Sequence, residues 1–217
     1  MRAYDTVLFD LDGTILDTNE LIIISFLHAL KDYTEEGFSR DHIIPFMGAP
    51  LVEQMKRFSG LEEVDHLVDA YREINLRLHD EYVQLFDQVE EVLAKLHESG
   101  IKLGVVTTKM RLTTDKGLAF TNIAKYMGAV ITIDDVEHAK PHAEPVQKAL
   151  EGLGADPART LMVGDSTVDI QSGLNAGVKT VGVAWSLKGE QVLRNVGADY
   201  IIHSMRDLYD IVGLESR

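Results

Sequence analysis

Six short apolar runs alternate with helical patterns along most of this chain, and that alternation leaves few folds open. The runs are Thr6–Phe9, Ile101–Val106, Ala129–Ile133, Thr160–Val163, Thr180–Val183 and Tyr200–Ile202. Each is short and bounded by turn residues, as strands buried on both faces are. Strand and helix in alternation predict an α/β fold built on a doubly wound parallel sheet.

The helical signals are local and specific. Asp87, with Glu90 three residues on, is predicted to cap a helix whose Val89, Val92, Leu93 and Leu96 share one face, and Gly100 is placed to end it. Pro145 opens another, with Val146, Ala149, Leu150 and Leu153 at helical spacing. Asp17 or Thr18 is placed to cap a helix after the first strand. From Glu20 to Tyr82 the pattern is almost wholly helical, broken at Gly48-Ala49-Pro50. The expected organisation is a core of residues 1–16 and 83–217, with residues 17–82 as an all-helical insert.

The first strand carries the chemistry. It stops abruptly at Asp10-Leu11-Asp12-Gly13-Thr14. Carboxylates at the edge of a core are costly unless paired or bound to a cation. Asp-Gly is also ordinary turn chemistry, so the stretch proves little alone. A calcium loop is excluded, because Ile15 stands where such a loop needs glycine and Leu21 where it needs glutamate.

Three further polar clusters follow strand patterns or sit one loop beyond. They are Thr107-Thr108-Lys109, Lys140, and Asp165 with Asp169. In a parallel sheet such ends lie along one edge, so residues far apart in sequence can converge. Acids, a hydroxyl and a lysine together suit phosphoryl transfer beside Mg²⁺, which prefers carboxylate oxygens. Asp10 is the expected nucleophile, already ionised at neutral pH. Asp12 is the expected acid and base, and Lys140 the cation that offsets the crowded carboxylates. Thr107 and Lys140 hold the phosphoryl oxygens.

These residues resemble the four motifs of the haloacid dehalogenase superfamily: Asp10-Leu11-Asp12-Gly13-Thr14, Thr107, Lys140, and Gly164-Asp165-Ser166-Thr167-Val168-Asp169. The resemblance spans nearly the whole chain. It implies a Rossmann-like core, Mg²⁺ held by Asp10, Asp165 and the backbone carbonyl of Asp12, and a helical cap formed by the insert. It also implies supporting roles for Gly13, Thr14 and Asp169. Asp12 separates the chain from true dehalogenases, and Ser166 departs from the acid or asparagine usual after Gly164-Asp165. Asp17-Thr18-Asn19-Glu20-Leu21-Ile22, Val106-Thr107-Thr108-Lys109, Ile133-Asp134-Asp135-Val136 and Gly182-Val183-Ala184-Trp185 are similar to the Bacillus-type pyrophosphatase branch of the superfamily. Phosphoglycolate and sugar-phosphate phosphatases or mutases carry the same motifs and remain alternatives. A phospho-acceptor signalling module is the alternative of a different class.

Substrate contacts are expected from Thr108, Lys109, Glu20 and Gly48, with Arg111, Lys56 and Arg57 as further cations for a second phosphate. The net charge of −14, from 21 basic and 35 acidic residues, argues against nucleic-acid and anionic-membrane partners. No apolar run is long enough to cross a bilayer, no signal segment is evident, and the absence of cysteine fits a cytoplasmic protein. The expected partner is a small phosphorylated molecule, and the oligomeric state is open. His138 and His142 are four apart, but Pro141 between them disfavours a shared helix.

Overall fold

The computed structural model describes residues 3–214. In order, the chain forms β1 (Thr6–Phe9), β2 (Leu16–Asp17), α1 (Asn19–Leu30), α2 (Arg40–Ile43), α3 (Leu51–Ser59), α4 (Asp65–Tyr82), β3 (Gln84–Leu85) and α5 (Val89–Glu98). It continues through β4 (Lys102–Val106), α6 (Arg111–Phe120), β5 (Ala129–Ile131), α7 (Glu144–Leu153), β6 (Thr160–Gly164) and α8 (Thr167–Asn175). It closes with β7 (Lys179–Val183), α9 (Glu190–Val196), β8 (Tyr200–Ile202) and α10 (Asp207–Val212).

Six strands make one sheet in the order β5-β4-β1-β6-β7-β8, every pairing parallel. Counted among themselves these strands run 3-2-1-4-5-6, the order of a Rossmann-like sheet. The winding reverses between β1 and β6, which opens a crevice at their C-terminal ends.

Both faces of the sheet are covered. Val7 and Phe9 join the apolar cluster containing Val92 and Leu96 of α5 and Leu208 of α10. Leu8, between them, joins the opposite cluster with Val146, Ala149 and Leu150 of α7. Two-sided burial explains why these strands read as continuous apolar runs rather than alternating ones.

Helices α1, α2, α3 and α4 gather a separate apolar cluster that includes Phe26, Leu30, Ile43, Met55 and Leu67. Phe26 packs against Phe58 and Tyr71, with ring centroids 5.6 and 4.9 Å away. The chain enters this helical unit after β2 and leaves it before β3, and the two strands pair antiparallel, Leu16 with Leu85 and Asp17 with Gln84. The ribbon is too short to carry a periodicity of its own and was not expected from sequence.

Local expectations fail at three points. Gln88, in the left-handed region at φ +67°, is the residue preceding α5, not Asp87, and no side chain caps that helix. The Val89 amide donates instead to the Phe86 carbonyl at 3.3 Å, so the Asp87–Glu90 box does not form. Thr18 precedes α1 without capping it, because its hydroxyl donates to Asp12 Oδ1 at 2.8 Å. The strand expected to reach Ile133 stops at Ile131, where Asp135 Oδ2 accepts from both the amide and hydroxyl of Thr132, each at 2.7 Å.

Gly164 ends β6 because nothing larger fits. A Cβ there would lie 2.2 Å from Asp169 Cβ. Gly164→Ala is therefore expected to lower stability by about 1–3 kcal/mol, the usual range for overpacking. An unchanged denaturation midpoint would refute this packing.

Glu144 opens α7 and accepts hydrogen bonds from the Glu137 and His138 amides at 3.0 and 2.9 Å. The Glu137 amide first, then Lys148 and the His138 donors, lower its pKa from 4.5 to about 2. A folded-state value below the unfolded one stabilises the fold above about pH 4.5, and the contribution is lost as pH falls towards 2. Glu144→Gln should therefore flatten the pH dependence of unfolding in that window, measured by urea titration.

Candidate active site

The crevice at the ends of β1 and β6 is built from residues one step past each strand. The Asp10 amide donates to the Val163 carbonyl at 2.9 Å, extending the β1–β6 ladder to the carboxylate itself. Asp165 follows Gly164 directly, and Thr107 follows β4, its amide held by the Ile131 carbonyl at 2.9 Å. Asp10, Asp12, Thr107, Thr108, Lys109 and Asp165 line one cavity of about 320 Å³.

Lys140 reaches this rim from the loop before α7. Its ammonium donates to Asp10 Oδ1 at 2.7 Å, to Asp169 Oδ1 at 2.6 Å and to the Val106 carbonyl at 2.8 Å. A buried ammonium with three acceptors is fully satisfied. Burial alone would lower its pKa, but Asp10 and Asp169 outweigh this and raise it. The other Asp169 oxygen accepts from the Ser166 amide at 2.9 Å and hydroxyl at 2.7 Å, which ties α8 to the rim. Asp169 is thus a support for Lys140 with no oxygen to spare.

Asp10 and Asp165 are different. Burial pushes Asp10 well above the usual carboxylate range, Lys140 opposes it, and the charges of Asp169 and Asp165 add to it. Burial likewise raises Asp165 to about 6. Among the described residues the Asp165 carboxylate meets only Lys188 Nζ, at 3.9 Å. Ligand oxygens of Asp10, Asp165 and Asp169 lie within 4.8 Å of one another. Two buried carboxylates with unspent oxygens, side by side, form a hard donor set that fits Mg²⁺. Gly13 permits the approach: it sits at φ +83°, and a Cβ on it would be 2.8 Å from Asp165 Cγ.

Asp12 is held apart from this group. Its carboxylate takes the Thr18 hydroxyl at 2.8 Å and Lys109 Nζ at 3.0 and 3.1 Å. Among the described residues Thr107 Oγ1 accepts only the Lys109 amide, at 3.2 Å, which leaves its hydroxyl hydrogen to donate. Thr14 Oγ1 is buried without a partner among the described residues.

The helical unit closes the far side of the cavity. Thr108 Oγ1 donates to the Gly48 carbonyl at 3.0 Å, and a Cβ on Gly48 would lie 2.8 Å from Ser166 Oγ. Gly48, at φ +96°, therefore rests directly on the core. Thr108 is occupied by this contact.

Four expected cations or contacts lie elsewhere. Glu20 is exposed and pairs with Arg40 at 2.7 Å. Lys56 faces Glu62 at 3.5 Å, and Arg57 lies over the Phe46 ring at 3.8 Å. The Arg111 guanidinium is paired with Asp135 and the Val130 carbonyl. Arg72 lines the cavity instead, beside Tyr71, Asn75 and Gln54; its Nε is buried with no hydrogen-bond partner among the described residues, and its Nη1 lies 3.9 Å from Asp69. Val68, Arg72, Asn75 and His79 follow helical spacing on α4, so polar residues on a buried helix face were the signal for it. Lys188 was missed too, although it follows β7 by the same strand-end rule.

Comparison with known proteins agrees with this geometry. A family model described as haloacid dehalogenase-like hydrolase matches residues 7–183. The chain is 46% identical to the pyrophosphatase PpaX of Anoxybacillus flavithermus over 98% of this chain and 99% of that one. It is 47% identical to the pyrophosphatase PpaX of Bacillus velezensis over 99% of each. Among solved structures, a Bacteroides fragilis protein described as a haloacid dehalogenase-like hydrolase superposes with TM-score 0.85 at 28% identity, over 94% of this chain and 99% of that one. A match of this extent, on a sheet whose strand ends gather Asp10, Thr107, Lys140 and Asp165, makes the chain a member of the haloacid dehalogenase-like hydrolases.

Proposed function

We propose that this hydrolase is a Mg²⁺-dependent inorganic pyrophosphatase working through an aspartyl-phosphate. The observation that carries the chemistry is Lys140, whose ammonium holds Asp10 at the rim beside unsatisfied Asp165. Near full-length relatives named as pyrophosphatases support the choice of substrate. The expected compartment is the cytoplasm.

Asp10 attacks one phosphorus in line with the bridging oxygen, and the P–O–P bond breaks. Mg²⁺ held by Asp10, Asp165 and the Asp12 carbonyl would neutralise phosphoryl oxygens as charge builds on them. Thr107 donates to the same oxygens, while Lys140, its three hydrogens spent on Asp10, Asp169 and the Val106 carbonyl, holds Asp10 in place and lends its charge rather than the hydrogen bond expected from sequence. Asp12 gives its proton to the departing phosphate, then takes one from the water that attacks the acyl phosphate. For this Asp12 must first carry a proton, so Lys109 must leave it. The outer phosphoryl group of the substrate is the destination for that ammonium.

The helical unit acts as the cap over the leaving group. Arg72 supplies the cation assigned from sequence to Lys56 and Arg57. Arg72→Met is expected to raise KM for pyrophosphate about 10–100-fold, the size of one or two charge-assisted hydrogen bonds. The effect on a small aryl phosphate should be much smaller, and equal losses on both would refute the role.

Ile22, Phe26, Met47 and Leu51 give the cavity an apolar wall, which favours an organic phosphomonoester as the second reading. A panel of pyrophosphate, phosphoglycolate, sugar phosphates and aryl phosphate, compared by kcat/KM, separates the two. Phosphate release over many turnovers excludes a signalling module, and isomerisation of a sugar phosphate without release would show a mutase.

A further inference from the structure

His138, His142 and Glu144 lie together on the surface, on the loop that carries Lys140. Pro141 does prevent a shared helix, yet the loop turns back and brings the two imidazole rings to 4.7 Å between centroids. One donor atom from each of the three side chains lies within 4.8 Å of the others.

We propose that these three residues bind a transition-metal dication such as Zn²⁺, at a site separate from the Asp10–Asp165 pair. Two imidazoles and a carboxylate, with solvent completing the set, suit zinc and its neighbours and not Mg²⁺, which requires oxygen.

The geometry is nearly ready for it. His138 Nδ1 is 3.2 Å from Glu144 Oε2. Donor atoms around a tetrahedral zinc, with bonds of about 2.0–2.1 Å, stand about 3.3 Å apart. An ion bridging the two atoms replaces a hydrogen between them with little movement. His142 Nδ1 accepts the Glu144 amide at 3.1 Å, so its lone pair already points at this turn. His138 ligates through Nδ1 once the hydrogen it places on Glu144 Oε2 moves to Nε2, and His142 Nδ1 exchanges the Glu144 amide for the ion, so each neutral ring loses no proton on binding.

Glu144 is the anchor. Its carboxylate is fixed by the Glu137 and His138 amides and stays ionised at any working pH. Lys148 Nζ, 3.1 Å from Glu144 Oε1, is the opposing charge. It is on the oxygen the ion does not need. His138 is exposed, which leaves an entry path.

The site straddles the loop whose Lys140 holds Asp10, so occupancy would fasten that loop to the start of α7. This holds whatever the substrate, since no residue of the cavity takes part.

The test is calorimetric titration of Zn²⁺ into the full chain with Mg²⁺ saturating. Wild type should show one site, with a rise in Tm. His138→Gln and His142→Gln should each weaken it about tenfold or more, the usual cost of disturbing a metal ligand shell. Mg²⁺-supported turnover of either variant without Zn²⁺ should match wild type. Substituting Co²⁺ should produce the visible absorption of a four-coordinate nitrogen–oxygen site. Equal Zn²⁺ affinity in the variants, or no heat beyond dilution, would overturn the proposal. Failure of pyrophosphate hydrolysis would bear on the activity alone.

Discussion

Asp10→Asn is expected to cut kcat by about four orders of magnitude or more, the scale seen when a covalent nucleophile is removed, while the fold survives. An amide cannot attack phosphorus, so no aspartyl-phosphate forms. The remaining binding groups still hold substrate, and KM should change far less than kcat. Stability is the discriminating readout. Asp10 is buried among Asp165 and Asp169, and its carboxyl is held well above the ordinary range. Asparagine keeps the shape and removes one of the crowded charges. The metal-free variant should therefore unfold no earlier than wild type, since functional sites commonly retain charge at the expense of stability. Rapid acid quench with ³²P-labelled substrate should trap labelled protein in wild type and none in the variant. Retained activity would exclude covalent catalysis at this residue.

Lys140→Met is expected to damage both properties at once. The ammonium touches Asp10 at 2.7 Å, Asp169 at 2.6 Å and the Val106 carbonyl at 2.8 Å, all inside the protein. Removing one partner of a buried ion pair typically costs about 3–5 kcal/mol, because the other charge is left uncompensated. Here two carboxylates are left. Urea denaturation should show the loss, and Mg²⁺ should recover part of it by occupying the vacated field. Turnover should fall even where the variant is folded, because Asp10 is no longer aimed. The double variant Lys140→Met with Asp10→Asn should be more stable than Lys140→Met alone, since it removes one orphaned charge. Additive losses in that cycle would mean that Lys140 and Asp10 do not interact as the geometry implies.

Much of the core is legible in the sequence. The six strands were read from apolar runs because two-sided burial leaves no polar positions in them. Asp10, Thr107, Lys140 and Asp165 were read from polar residues at strand ends, and a parallel sheet puts such ends on one edge. The reading failed where a side chain had a choice of partners. Thr18 was placed as a cap and serves Asp12 instead. Arg111, assigned to substrate, is held by Asp135. Glu20 is held by Arg40, twenty residues away. Nothing local in a sequence ranks such competing partners. The same limit hid Arg72, since which face of α4 meets the core depends on how the helical unit is seated.

The chain's own residues, taken in order, determined the sheet, its direction and the chemical identity of its rim, because burial and strand–helix alternation are local and periodic. Only the tertiary structure decided which cation serves which carboxylate, that Gly48 rests against Ser166, and that His138 and His142 meet across Pro141. Those outcomes depend on loop paths and on the seating of one unit over another, and neither leaves a period in the sequence.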